Sequence, residues 1–247
     1  MSASPILLAL SRGASSERAR RRLLPGSLGA LEQETHEALL GATFAAGREA
    51  GCRLAVSCPT PVSESSEIAW LPQTETDFGA RLEGAVSRCS ALGLGPLLIA
   101  ASDVPGLTGV HLEQAIAWLA EDPERVVLGP SPDGGMYLVA FAKPIPGLAA
   151  AARWCRRDTL ATFVRTLGAL GRPVLFLSPL HDLDRPADLE RWLADSSSRL
   201  WWTLVGTIRR ALSLRLRPEC PSVLGLAQAG DGPRRSGRAP PILLSPA

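Results

Sequence analysis

Short apolar segments alternate with longer amphipathic segments along the chain, and no other feature constrains its fold as strongly. The short segments have the length and composition of strands, whereas the longer ones repeat apolar residues at helical spacing. The predicted strands are residues 5–10, 53–57, 96–101, 125–128, 136–141 and 173–177, and the predicted helices are residues 30–49, 78–92, 108–120, 158–170 and 186–194. Strands and helices in this order form a mostly parallel sheet with helices on both faces. The sequence therefore predicts an α/β domain over residues 1–195.

The connections that follow four of these strands differ in composition from the rest of the chain. Residues 11–26, 58–67, 102–107 and 129–135 are polar or rich in glycine and proline. In an open α/β sheet, ligands bind outside the carboxyl ends of the strands, where such connections converge. We therefore expect the functional residues in these connections.

Composition excludes several classes of protein. Hydrophobic residues make up 46% of the chain, which is enough for a substantial core and excludes disorder throughout. The five cysteines are scattered and form no C-x-x-C pair, so neither a disulfide framework nor a thiolate zinc site is predicted. The first ten residues do not have the pattern of a signal peptide, and no stretch reaches the roughly 18 apolar residues of a membrane span. These features predict a cytoplasmic protein.

The charge is distributed unevenly between the domain and its extension. Residues 1–195 hold 18 basic and 22 acidic side chains, whereas residues 196–247 hold 8 basic and 2 acidic ones. We interpret residues 196–217 as an amphipathic basic segment and residues 218–247 as a disordered tail. The tryptophans and arginines of residues 200–216 suit peripheral contact with an anionic membrane, and the alternative is a helix that packs on the domain. Because the excess positive charge lies in this extension, no nucleic-acid partner is predicted.

Two acidic segments indicate a divalent-metal site. Asp103 follows the apolar strand 96–101, although it could instead form a turn before Pro105. Asp182, Asp184 and Asp188 are grouped just ahead of the last predicted helix, although Asp184 alone could cap that helix. Carboxylates that lie close together repel one another unless a cation compensates, so such groups often hold a metal. We predict that Asp103 and Asp184 bind Mg²⁺ or Mn²⁺.

A basic segment and a glycine-rich segment complete the candidate site. Five arginines lie between residues 12 and 22, directly after the first strand. They could form a charged surface, but at the carboxyl end of a strand they would face an anionic ligand such as a diphosphate. Asp133 precedes Gly134 and Gly135 in a loop between two strands. That loop could be a simple hairpin, but glycines also let a ligand approach the backbone closely.

Five ordered motifs, over residues 5 to about 194, resemble the glycosyltransferase-like branch of the nucleotide-diphospho-sugar transferases, a group associated by name with arsenosugar biosynthesis. In chain order, the matching residues are Gln73, Asp77, Phe78, Gly79, Arg81, Ser102, Asp103, Pro105, Leu107, Gly129, Pro130, Asp133, Gly134, Gly135, Tyr137, Leu138, Asp182, Asp184, Pro186, Asp188 and Leu189. Trp154 also lies where this family has a tryptophan. The family's first loop is matched only in its basic positions.

That first loop departs from the family pattern. Arg12, Arg20 and Arg22 occupy basic positions, but Ala14 and Glu17 replace a proline and a glycine, and Arg21 replaces a threonine. Glycine in such a loop lets the backbone wrap a phosphate, and a glutamate adds a repelling charge. The departure therefore predicts a lower affinity for the nucleotide than the family pattern implies.

The resemblance implies a GT-A-like, Rossmann-like fold and a sugar-transfer reaction. An acceptor hydroxyl would attack the anomeric carbon of a nucleotide sugar, with the metal on Asp103 and Asp184. Arg20 or Arg22 would stabilise the departing diphosphate, and Asp133 would contact the acceptor or the sugar, or act as the general base. The residues expected to bind nucleotide or sugar are Arg12, Gln73, Asp77, Arg81, Gly134, Gly135 and Trp154. The acceptor would be a small molecule or a lipid-linked compound.

Two other functions are compatible with this pattern. A nucleotidyltransferase of the same fold would release pyrophosphate from a nucleoside triphosphate. Such enzymes usually begin with L-x-[AG]-G-x-x-x-R-[MF]-G-x-x-K, which this chain does not contain. A degenerate, non-catalytic binding protein is the second alternative, and Glu17 in the first loop is the observation that suggests it.

Overall fold

The computed structural model describes residues 4–13, 23–24, 29–61, 66–93, 95–145 and 147–194. These ranges cover most of the predicted α/β domain, and most of its basic first loop lies outside them. Arg20 and Arg22 lie outside them. So does the C-terminal extension, with its predicted amphipathic segment 196–217 and tail 218–247.

Seven strands form one sheet within the described residues. They are β1 (Ile6–Leu10), β2 (Arg53–Cys58), β3 (Ile68–Pro72), β4 (Leu97–Ala101), β5 (Val126–Pro130), β6 (Met136–Phe141) and β7 (Val174–Phe176). Their order across the sheet is β3-β2-β1-β4-β6-β5-β7. Neighbouring strands are parallel, except that β6 is antiparallel to both β4 and β5. The predicted α/β class with a mostly parallel sheet is confirmed.

Helices cover both faces of this sheet. The described residues contain α1 (Gly29–Glu49), α2 (Phe78–Ser90), α3 (Gly109–Glu121), α4 (Thr159–Ala169), α5 (Pro186–Ala194) and a short 3₁₀ turn at Leu148–Ala150. Consecutive residues of β1 point to opposite faces, so Leu7 packs in a core with Phe44 of α1, and Leu8 packs in a second core with Phe163 of α4. None of the helices described here has the length and apolarity needed to span a bilayer.

The predicted elements are present with small differences at their ends, and two elements were not predicted. One is β3, which begins directly after the segment 58–67 interpreted as a connection. It is a short edge strand whose Trp70 is 40% exposed, so it has little of the apolar character that marks a buried strand. The other is the 3₁₀ turn, which is too short for a periodic signal.

The register of the sheet aligns the ends of four strands. Leu10 at the end of β1 pairs with Ser57 of β2 and with Ala101 of β4, and Ser57 in turn pairs with Leu71 of β3. The chain segments that leave these strands therefore start at the same height. This alignment brings the connections after β1, β3 and β4 to one edge of the sheet.

Gly129 of β5 is required by the ring of Tyr137 on the adjacent strand. A Cβ at residue 129 would lie 2.5 Å from Cε2 and 2.7 Å from Cε1 of that ring, and Tyr137 is buried. We expect Gly129→Ala to lower the free energy of unfolding by about 1–3 kcal/mol, because the added methyl overpacks the core.

Gly41→Ala is the matched control for this substitution. Gly41 is exposed within α1, and a Cβ there would meet nothing within 4 Å. We expect a gain of about 0.5–1 kcal/mol, since alanine is the better helix former. Urea denaturation measures both variants, and a Gly129→Ala protein as stable as the wild type would contradict the packing.

The N-terminus of α3 makes stability depend on pH through His111. Its Nδ1 accepts the N–H of Thr108 at 3.3 Å in a capping box, and burial lowers its pKa from the ordinary value of 6.5. The unfolded chain therefore binds more protons as the pH falls through that value, so the free energy of unfolding should decrease. We expect His111→Gln to flatten this decrease in urea titrations between about pH 8 and pH 5. A decrease as steep in His111→Gln as in the wild type would contradict this role of His111.

Candidate functional site

A cleft of about 340 Å³ opens at the carboxyl edge of the sheet, beside α2 and the start of α4. Its lining includes residues at the ends of β1 and β4 and at the start of β6. Eight of the residues predicted for the site line it: Arg12, Gln73, Arg81, Asp103, Asp133, Gly135, Trp154 and Asp184. The structure therefore brings together side chains that are more than 170 residues apart in sequence.

Asp103 lies near the centre of this edge, because its strand, β4, runs between β1 and β6. The residue is buried, with 5% of its surface exposed. Its backbone carbonyl accepts the N–H of Leu183 at 3.0 Å. That hydrogen bond places the acidic segment against Asp103, so Asp182 and Asp184 line the same cleft.

A small leucine cluster joins the basic loop to the acidic segment. Its buried members are Leu23, Leu24, Leu39, Leu183 and Leu189. Leu23 and Leu24 follow the arginine run directly, Leu39 belongs to α1, and Leu183 lies between Asp182 and Asp184. Burial of this cluster therefore holds Leu23 and Leu24 near the segment that carries Asp182 and Asp184.

Glu32 of α1 holds the same end of the basic loop by hydrogen bonds. Its two carboxylate oxygens accept the N–H groups of Leu23, at 2.5 Å, and Leu24, at 2.9 Å. Glu32 is only 3% exposed, and Nε2 of His36 lies 3.7 Å from its Oε1. A buried carboxylate that accepts two backbone hydrogen bonds is a rigid anchor.

Gln73 and Arg81 form one side of the cleft. Nη1 of Arg81 donates to Oε1 of Gln73 at 3.3 Å, and Nε2 of Gln73 donates to the backbone oxygen of Ser57 at 3.4 Å. Both side chains are buried. The guanidinium of Arg81 also lies 5.5 Å from the ring centroid of Phe78, within the range of a cation–π contact.

An aromatic row supports another part of the cleft. Trp154 packs between Phe78 and Phe163, with ring centroids 5.3 Å and 5.6 Å away. Its Nε1 donates to the backbone oxygen of Ala149 at 2.7 Å. These contacts hold the indole in one orientation at the cleft surface, where its exposed part is available to a ring-shaped ligand.

The loop between β5 and β6 is held tightly against the start of α4. Asp133 accepts the N–H of Gly135 through Oδ1 at 2.8 Å, and the N–H of Leu160 donates to the oxygen of Gly134 at 3.0 Å. Gly134 has φ +92°, and a Cβ there would collide with the backbone of Arg157. Glycine is therefore required at residue 134 by both conformation and space.

Two residues predicted to bind nucleotide or sugar do not line the cleft. Asp77 is exposed, and its Oδ1 accepts the N–H of Ala80 at 2.9 Å, which makes it the N-cap of α2. Gly134 shapes the loop from behind, as described above. Arg20 and Arg22, the predicted contacts of the diphosphate, lie outside the described residues.

Several polar residues of the cleft were not predicted as site residues. They are Ser11, Ser102, Ser131, Arg156, Arg157, Thr159 and Asp182. Asp182 belongs to the family motif, so the sequence offered a signal for it. Arg156 and Arg157 lie in an irregular segment between the 3₁₀ turn and α4, where no motif or periodicity marks them.

The carboxylates of the cleft suit a hard divalent cation. Among the described residues, no three His, Cys, Asp or Glu side chains come together in a metal-binding group. Mg²⁺, however, is commonly held by one or two carboxylates, with waters and substrate phosphates as the remaining ligands. Asp103 and Asp184 provide this number and type of oxygen donors, so the side chains fit Mg²⁺ or Mn²⁺.

Solved structures share this fold at low sequence identity. A protein of Desulfovibrio desulfuricans G20 named as a nucleotide-diphospho-sugar transferase has a TM-score of 0.73 at 18% identity, over 87% of this chain and 97% of that one. The Rv0371c protein of Mycobacterium tuberculosis H37Rv, in complex with manganese, has a TM-score of 0.50 at 16% identity, over 79% and 100%. A 4-diphosphocytidyl-2C-methyl-D-erythritol synthase has a TM-score of 0.52 at 13% identity, over 79% of this chain and 100% of that one. The chain therefore has the fold of the nucleotide-diphospho-sugar transferases.

The family itself is identified by sequence. Residues 28–156, just over half of the chain, match the model of DUF2064, the uncharacterized proteins conserved in bacteria. The chain belongs to this family. A comparison with curated proteins found no match.

Glu32→Gln tests the anchor of the basic loop. The amide can accept only one of the two backbone hydrogen bonds and points its own donors at the other N–H, so we expect a loss of about 1–3 kcal/mol in the free energy of unfolding. Glu34→Gln, at an exposed position on the same helix, should change it by less than about 0.5 kcal/mol. Urea denaturation measures both, and equal stability of the two variants would contradict the anchoring role of Glu32.

Proposed function

We propose that this protein is a divalent-metal-dependent transferase that takes a sugar from a nucleotide-diphosphate donor and passes it to an acceptor. The observation that carries the proposal is the meeting of Asp103, Asp184 and Arg12 in one cleft at the carboxyl edge of the sheet. The negative charge of a bound diphosphate is balanced by basic side chains and by a divalent cation. This part of the cleft offers an arginine for the diphosphate and carboxylates for the cation. The fold of the nucleotide-diphospho-sugar transferases supports this assignment.

In this proposal, the donor lies over the ends of β1 and β4. Arg12 follows β1, and the arginine run that contains Arg20 and Arg22 directly precedes in sequence Leu23, whose N–H donates to Glu32. The diphosphate would lie between these arginines and Asp103. Gln73 and Arg81 would contact the nucleoside or sugar, and Trp154 would stack on one of its rings.

Asp103 and Asp184 would hold the cation through their carboxylate oxygens. A bound Mg²⁺ or Mn²⁺ would neutralise charge on the diphosphate as it leaves. The manganese complex of the Rv0371c protein, which has a TM-score of 0.50, supports a divalent ion of this kind. Because Asp103 is 5% exposed, its charge is partly desolvated and would interact strongly with a cation.

The proposed reaction forms one bond and breaks another. The acceptor hydroxyl oxygen bonds to the anomeric carbon, and the bond from that carbon to the diphosphate oxygen breaks with its electron pair on the nucleoside diphosphate. The hydroxyl proton passes to a base, and Asp133 is our candidate because it lines the cleft. The hydrogen bond from the Gly135 N–H orients its carboxylate.

Nucleotidyl transfer is the second candidate function. The likeness to a 4-diphosphocytidyl-2C-methyl-D-erythritol synthase, with a TM-score of 0.52, favours it. In that reaction an acceptor phosphate oxygen would bond to the α-phosphorus of a nucleoside triphosphate, and pyrophosphate would leave. Sugar transfer remains our first proposal, because the sequence has no glycine-rich nucleotidyltransferase start.

Calorimetric titration of UDP-glucose and GDP-mannose, with and without Mn²⁺, tests the donor and the metal together. We expect one of them to bind only when Mn²⁺ is present, and Asp103→Asn to weaken that binding by about 100-fold or more, because a charge-paired ligand is lost. Glu113→Gln, at an exposed position on α3, is the matched control and should bind as the wild type does. Metal-independent binding, or unchanged binding by Asp103→Asn, would overturn the metal proposal.

Product analysis separates the two reactions. Nucleoside diphosphate released from a nucleotide sugar supports sugar transfer, whereas pyrophosphate released from a nucleoside triphosphate supports nucleotidyl transfer. Donor binding without either product supports the non-catalytic alternative.

A further inference from the structure

Arg156 and Arg157 form a second basic part of the cleft, which the proposed donor site does not use. Both side chains line the cleft and are exposed. Within the described part of the chain, neither guanidinium makes an ion pair. Their neighbour Arg153, by contrast, pairs with Asp158 at 3.2 Å. Two adjacent arginines that are not paired with a carboxylate of the described residues concentrate positive charge at this part of the cleft.

The segment that carries these arginines is rigid. The hydroxyl of the buried Thr159 lies 2.8 Å and 2.6 Å from the backbone oxygens of Arg153 and Arg156, and it accepts the N–H of Arg156 at 3.0 Å. The preceding residue, Cys155, has φ +58°, a conformation that these surrounding contacts maintain. A pre-formed backbone lowers the entropy cost of binding a ligand.

The position of Arg156 and Arg157 separates them from the place proposed for the donor diphosphate, beside Arg12. The backbone of Arg157 packs on Gly134 in the loop between β5 and β6, whereas Arg12 follows β1. The strand of Asp103 lies between β1 and β6, so the two basic regions lie on opposite sides of Asp103, roughly 10 Å apart at ordinary strand spacing. One diphosphate bound to Arg12 would therefore leave Arg156 and Arg157 for a second anionic group.

From this geometry we propose that Arg156 and Arg157 bind the phosphate of a phosphorylated acceptor. Arginine suits this role because its planar guanidinium can donate two parallel hydrogen bonds to phosphate oxygens. Asp133 lies at the same end of the cleft, so a hydroxyl of the same acceptor could lie near its carboxylate. The inference rests on the proposed function and adds the chemical class of the second substrate.

Binding of phosphate probes to the full-length protein tests this inference. Inorganic phosphate, glycerol 1-phosphate and acetate are titrated calorimetrically after the donor site has been saturated with UDP and Mg²⁺. We expect both phosphate probes to bind, acetate to bind much more weakly, and Arg156→Gln/Arg157→Gln to lose at least tenfold in phosphate affinity. Arg156→Lys/Arg157→Lys should keep part of it, because lysine preserves the charge but not the paired hydrogen bonds.

Arg165→Gln is the control for a general loss of charge. Arg165 is exposed on α4 and is not among the cleft residues, so this variant should bind phosphate within about twofold of the wild type. Phosphate binding that is absent, or equal in the wild type and the double glutamine variant, would overturn the inference. Acetate binding as strong as phosphate binding would overturn the assignment to phosphate.

The affinity for UDP with Mg²⁺ distinguishes this inference from the proposed function. It should be the same in the wild type and in the double glutamine variant, since these arginines do not contact the donor. If the wild type binds no UDP, the donor proposal fails. A phosphate affinity that still depends on Arg156 and Arg157 would then support the anion site alone.

Discussion

The register between parallel strands is the constraint on which the site depends. Leu10, Ser57 and Ala101 pair side by side, so the backbone hydrogen bonds of the sheet decide which residues emerge at its carboxyl edge. A shift of one residue along β4 would turn Asp103 to the opposite face. Such a shift would exchange side chains such as Leu98 and Ile99 between the cores on the two faces, and the close packing of those cores opposes it. The position of the central carboxylate is thus a consequence of core packing.

Charged loops around the site are held by apolar contacts and backbone hydrogen bonds. Arginines repel one another, and so do aspartates, and neither group would collect without other forces. The leucine cluster supplies one such force, since Leu23 follows the arginines and Leu183 separates two of the aspartates. Glu32 supplies another through its bonds to Leu23 and Leu24. The carboxylates of Asp103, Asp182 and Asp184 are therefore brought into one cleft by the fold itself, which is the preorganisation that a binding site for a charged substrate needs.

Sequence patterns predicted those parts of the molecule whose signals are local. The α/β class followed from alternating apolar segments. Asp103, Asp133 and Asp184 were proposed because each lies in a short motif beside a strand or a helix, and the three line one cleft. Asp77 lies outside the cleft lining and caps α2. A helix cap and a ligand-binding aspartate have the same local pattern, and only the structure shows its bond to Ala80. Glu32 gave no signal, since it resembles an ordinary helical glutamate until the fold brings Leu23 to it. Arg156 and Arg157 were missed for the same reason, because their position in the cleft depends on a contact with Gly134.

The reversed direction of β6 divides the cleft into a constant side and an adaptable side. Because β6 runs against its neighbours, a short hairpin replaces the long crossover that a parallel strand would require there. With Gly134 pressed against the backbone of Arg157, that hairpin has no space for an inserted residue. The connection after β1, by contrast, spans residues 11–28 before α1 begins, and loops of this length tolerate insertions and deletions at small entropic cost. Proteins built on this framework could therefore diversify their donors through the first loop while the opposite wall keeps its shape.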